Sequence, residues 1–185
     1  MNKIEIKKPE TVKSGAKLKG HIVIEVFNNR EEMKLIGKSE TDNIVVNQGL
    51  NSMLGTYFSD DTQLLDWYCV ISETNTSASA TMTYATPSFT EWAAYDEETR
   101  PAWTEGGASS QSITNSANKA EFTANDTKTL YGAGLVAGGT GAATKSNTAG
   151  GGTLFNYGLF GASQPVVDNN VVNLTITISA ADDGV

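Results

Sequence analysis

The residues Val171–Ser179 constrain this chain most: Val172, Leu174, Ile176 and Ile178 alternate without a break with Asn173, Thr175, Thr177 and Ser179. A period of two puts all four apolar side chains on one face of a strand and would scatter them around a helix. The segment therefore predicts an antiparallel strand with one covered face, and a covered face needs partner strands and a second layer.

Other segments supply candidates for both. After Gly20, Ile22, Ile24 and Val26 share one face of a strand while Val23, Glu25 and Phe27 take the other. Asn28–Glu31 supplies turn residues, and an extended pattern resumes at Met33–Ile36, so residues 21–46 read as a hairpin or meander. The β-branched run Ile44-Val45-Val46 then passes into Leu50, Met53, Leu54 and Tyr57 at helical spacing, with Asn47 placed to cap a short helix around Gln48–Tyr57. Further strands are predicted at Leu64–Ser72, Ser112–Asn115, Ala120–Ala124, Thr129–Val136 and Thr153–Phe160. Phe89, Trp92 and Tyr95 stand three apart, as in a helical turn or an aromatic loop, and Pro101 breaks any regular element in Arg100–Trp103. The glycine-rich block Gly138–Gly152 reads as a mobile surface loop. Some eight strands, one short helix and no βαβ alternation predict a mainly β protein, an antiparallel β-sandwich or jelly-roll-like barrel. The first and last strands are candidates to pair.

Charge divides the chain in two. Residues 1–20 carry Lys3, Lys7, Lys8, Lys13, Lys17 and Lys19 against Glu5 and Glu10, while residues 51–185 carry four basic groups against fourteen acidic ones. The reading is a basic N-terminal arm over 1–20 and one β-rich domain over 21–185. An acidic body argues against direct nucleic-acid binding, because phosphates need a basic face. No stretch approaches the ~18 apolar residues of a membrane span, and the start lacks the apolar core of a secretion signal. Cys69 is the only cysteine, so no intrachain disulfide forms, and its setting Trp67-Tyr-Cys-Val-Ile71 predicts a buried thiol.

The search for chemistry returns little. His21 is the only histidine and no acid is paired with it by sequence, so no catalytic residue is assigned. One Cys and one His cannot close a zinc site. Asp60-Asp61, Asp96-Glu97-Glu98 and Asp182-Asp183 lack the spacing of a calcium loop, and nothing fixes two acids at a glycosidase's working distance. Lys145-Ser146 has no phosphate-loop glycines before it in the required pattern. No metal or cofactor is expected. Trp92, Tyr95 and Trp103 are left as core residues or, alternatively, as a glycan-stacking surface.

The order of landmarks adds a resemblance. Gly20–Val26, Asn43-Ile-Val-Val-Asn-Gln-Gly-Leu50, Trp67-Tyr-Cys-Val-Ile71, Thr90-Glu-Trp92 with Tyr95, Arg100-Pro-Ala-Trp103, Asn115–Phe122, Tyr131-Gly-Ala133 and the closing Leu174–Ile178 strand together resemble a family of tailed-bacteriophage virion proteins encoded among head genes. The likeness spans residues 20–183 and departs at Cys69–Ser72, where a glycine-containing strand end is more usual. It implies a non-enzymatic capsid decoration, or cement, protein on the surface of the phage head, forming homo-oligomers and bridging subunits of the major capsid protein. The six lysines of the arm are then the expected capsid contacts. The alternative is a tail-fibre or baseplate protein that binds host glycan through Trp92, Tyr95 and Trp103.

Overall fold

The computed structural model describes residues 15–182, and all structural statements below concern these. Eight strands and one helix follow in the order β1 (Ala16–Phe27), β2 (Leu35–Val45), α1 (Asn47–Phe58), β3 (Trp67–Ser72), β4 (Ser112–Thr114), β5 (Ala120–Thr123), β6 (Lys128–Ala137), β7 (Thr153–Val166) and β8 (Val171–Asp182). Every pairing is antiparallel, and the strands run β3-β6-β7-β2-β1-β8-β4 across one curled sheet, with β5 also on β8. The curl makes a half-barrel, so the predicted mainly β, sandwich-like class is correct.

The hinge of the curl is β2. It pairs along most of its length with β1 but its ladder with β7 is confined to Ile44↔Tyr157 and Val45↔Asn156, so the sheet folds over there into two facing halves. Alternation then fills the space between them. Ile22, Ile24 and Val26 from β1 and Val172, Leu174 and Ile176 from β8 face Cys69 and Ile71 from β3 and Ala133, Leu135 and Phe155 from β6 and β7. The first and last strands do pair, Ile22 opposite Ile176 and Ile24 opposite Leu174, so each core layer is built from both ends of the chain. Burial raises the Cys69 thiol far above its ordinary range, as the apolar setting predicts.

The half containing β3, β6 and β7 is also covered on its outer face. Val70, Val136, Leu154 and Tyr157 lie there under Met82, Tyr84 and Phe89 from the long connection after β3. Phe89 stacks on Tyr157 with ring centroids 4.4 Å apart. The run from Phe89 to Tyr95 is not a helical turn: Glu91 and Tyr95 make single bridges to Ser72 and Ala124, and the Trp92 amide donates to the Ile71 carbonyl. Residues 101–103 lie along β3, with the Cys69 amide donating to the Pro101 carbonyl. That edge position suits a residue without an N–H.

Two further expectations need correction. The second strand begins at Leu35, not Met33, because Met33 has φ +47° inside the turn. Asn28 Oδ1 and Asn29 Oδ1 hold that turn by accepting backbone N–H groups of Lys34, Glu31 and Glu32. The glycine block Gly138–Gly152 lies only partly at the surface: Gly141 and Ala142 are buried, and the Arg100 guanidinium binds the carbonyls of Ala142 and Asn147. Arg100 is 2% exposed and its partner Glu91 8%, and the two make a bidentate pair at 2.8 and 2.6 Å. Burial lowers the guanidinium pKa, but the Glu91 hydrogen bond and charge outweigh it, so the group is held above its usual value.

Candidate functional site

The surface that stands apart surrounds α1. Between Asp42 and Asp60 the chain has no charged residue, so the helix carries none, although half of it faces outward. Its inner side is fixed by Gln48 and Gly49. The Gln48 side chain reaches over to β7 and the covering loop: its Oε1 accepts from the amides of Tyr84 and Leu154 at 2.8 and 2.9 Å, and its Nε2 donates to the Gly152 carbonyl at 3.1 Å. Gly49 lies against the backbone of Phe155 so closely that a Cβ would stand 2.4 Å from its carbonyl oxygen. The capping role expected of Asn47 is not observed: Val46 is the N-cap, no side chain caps the helix, and the Asn47 amide donates to the Ala80 carbonyl. Packing against β7 holds the helix instead of a cap.

With that side fixed, Met53, Leu54, Tyr57 and Phe58 turn outward. Tyr57 is 82% and Phe58 75% exposed, their rings edge to face at 5.1 Å. Leu65, on the connection that follows, is 76% exposed. On one flank of α1 a groove of about 880 Å³ opens between Leu50, Met53 and Leu54, the start of β1 at Leu18 and the end of β2 at Ile44. On the other flank Met53 and Tyr57 border a smaller groove of about 220 Å³ closed by Leu64, Trp67 and Phe155. Lys17, Lys19 and Asp42 line the first groove, whereas the second has no charged residue in its lining.

The groove floor contains a packing constraint. Asn43 Oδ1 lies 1.7 Å from where a Cβ on Gly20 would be, so only glycine at position 20 leaves room for the carboxamide. Neither polar atom of that carboxamide has a hydrogen-bond partner among the described residues.

The predicted site residues fare unequally. Lys3, Lys7, Lys8 and Lys13 lie outside the described residues. Lys17 and Lys19 belong to β1, paired with Ala181 and Ser179 of β8. Trp92, Tyr95 and Trp103 are buried in the core and cannot stack on a glycan. Trp92 and Tyr95 pack with Phe122, and Trp103 Nε1 donates to the Ile176 carbonyl at 3.0 Å. The Tyr95 hydroxyl is pushed well above its usual pKa, first by burial and then by the charge of Glu91. His21 does have an acid, Asp42 at 2.9 Å across the β1–β2 pair, which the sequence did not reveal. Of the acidic runs, Asp96-Glu97 serves the fold: Glu97 accepts from the Thr123 amide, and Asp96 from the Asn125 side chain. Among the described residues no three metal-ligating side chains converge.

A second cleft, of about 270 Å³, lies over the outer face of β3, β6 and β7 between Phe89, Tyr84 and the Arg100–Glu91 pair. All five guanidinium N–H groups there are directed at Glu91, Tyr84 or loop carbonyls, so Arg100 is an anchor for the loops around the cleft.

The α1 surface is what reasoning from sequence missed, and a signal for it existed. A helix that faces solvent ordinarily carries charge on its outer side, so a charge-free helix ending in Tyr-Phe already marks a face meant to be covered. No protein-family model matches the chain, and no curated protein is significantly similar to it in sequence.

Proposed function

We propose that this chain is a non-enzymatic virion component of the capsid decoration type, which assembles with itself and attaches to the major capsid protein on the surface of a phage head. The assembly part of the reading is carried by one observation, the uncovered apolar face of α1. Exposed rings and aliphatic side chains of this extent, contiguous and without charge, are a liability on a free monomer and an asset on a protein that works as part of a particle. The phage part is supported by the ordered landmarks from Gly20 to Ile178. Capsid attachment is assigned to the basic start of the chain, Lys3, Lys7, Lys8, Lys13, Lys17 and Lys19, through attraction to acidic capsid surface. Linked to an assembled body, several such weak contacts multiply into tight binding.

Capsids lacking this chain provide the test. The full chain is expected to bind them saturably, to appear as density on the head by cryo-electron microscopy, and to lose at least ~10-fold in affinity when residues 1–14 are removed or salt is raised. Density confined to the tail, or capsid binding that ignores both changes, would reject the assignment.

A further inference from the structure

We infer that the groove between α1 and the start of β1 is filled by residues 1–14 of the same chain, with Ile4 and Ile6 turned inward. The inference goes beyond the capsid reading and does not rest on it. The groove is an open end of the core: Leu18 and Val45, which line it, also pack against the core cluster, and Leu50, Met53 and Leu54 of α1 form the opposite wall. On its floor Asn43 keeps a buried amide donor and acceptor without a partner among the described residues. A polypeptide backbone carries one of each, so an extended segment laid along the groove brings Asn43 what a purely apolar cover would not.

The place where the chain enters the groove singles out that segment. Ala16, Lys17, Leu18, Lys19 and Gly20 all line it, so the residues before Ala16 start at its edge. They carry an alternation of their own. Ile4 and Ile6 stand between Lys3, Glu5 and Lys7, so an extended backbone turns both isoleucines to one face and the three charges to the other. Reach is ample: from Ile6 to Gly15 the chain spans about 30 Å when extended, against about 18 Å for the length of α1, so it can reverse and run back beside the helix. An arm attached to its own body also meets the groove at an effective concentration in the ~mM range, far above that of another chain's arm in dilute solution. With Ile4 and Ile6 inward, Lys3 and Lys7 stay in solvent, and Tyr57, Phe58 and Leu65, which do not line this groove, stay uncovered.

Paired cysteines in the full chain test this, since Cys69 is buried and stays out of the reaction. Ile4→Cys and Ile6→Cys are each combined with Leu50→Cys, Met53→Cys or Leu54→Cys, and Glu5→Cys with the same three is the outward control. Under mild oxidation in dilute solution, at least one isoleucine position is expected to close a disulfide within one chain ~10-fold or more faster than Glu5 does with the same helix position. Independently of any disulfide, Ile4→Asp with Ile6→Asp should speed hydrogen exchange of the α1 amides by ~10-fold while the β6 and β7 amides keep their rates. Disulfides formed only between chains would give the groove to a second copy and overturn the inference. So would closure at Glu5 as fast as at Ile4 and Ile6, no closure at any pair, or α1 exchange that is unchanged or quickens only together with β6 and β7.

Discussion

At the scale of single residues, Arg100 does more for the architecture than any other polar group described. It joins Glu91 in the covering loop to Ala142 and Asn147 in the glycine block, two segments with no regular structure of their own. A buried ion pair is costly to form and costlier to break, because one partner removed leaves the other charged and dry. Arg100→Met should therefore destabilise by ~3–5 kcal/mol, while Arg100→Met combined with Glu91→Gln should recover a good part of that loss. Urea denaturation of the three proteins measures it, and a double variant as unstable as the single one would contradict the account. None of this was legible in the sequence: Arg100-Pro-Ala-Trp103 marked a landmark, but the partner nine residues earlier and the carbonyls some forty residues later are brought together only by the fold. The same limit explains Trp92, Tyr95 and Trp103. Residue type says that an aromatic ring is valuable, and only the position of β5 and β8 says that these three are enclosed.

Among elements, periodicity was a good guide wherever a strand has one wet face and a poor one elsewhere. β1 and β8 alternate cleanly, and both are found with the predicted faces inward. β7 continues to Val166, well past the expected end at Phe160, since its later pairing with β6 depends on Pro165 and Gln164 meeting Thr129 and Leu130. The helix was located correctly, but Leu50, Met53, Leu54 and Tyr57 at helical spacing do not say which way that side turns, and it is Gln48 and Gly49 that face the sheet. That orientation yields a prediction. Gln48→Ala strips two backbone amides, Tyr84 and Leu154, of their acceptor, and at roughly 1–3 kcal/mol for each amide left dry the loss should be about 2–6 kcal/mol. Hydrogen exchange should quicken at those two amides ahead of the rest of β7. Uniform acceleration across the sheet would mean that Gln48 acts only through global stability.

For the whole molecule the decisive feature is that β8 holds one half of the sheet together. It pairs with β1 along its full length on one side and with β4 and β5 on the other, and it supplies Val172, Leu174 and Ile176 to the shared core. Loop closure across nearly the entire chain must precede that pairing, so β1 and β2 can form a hairpin early but cannot bury their inner face until the last strand arrives. A chain ending at Asn170 should therefore show no cooperative unfolding transition and should expose Ile22, Ile24 and Val26 as a sticky sheet face. Adding β8 back as a separate peptide spanning residues 171–185 tests the cause directly. If β8 is the missing cover, the peptide should restore a cooperative transition. A peptide with Leu174→Asp and Ile176→Asp should not, because the alternation that first marked this segment as a strand is also what closes the core.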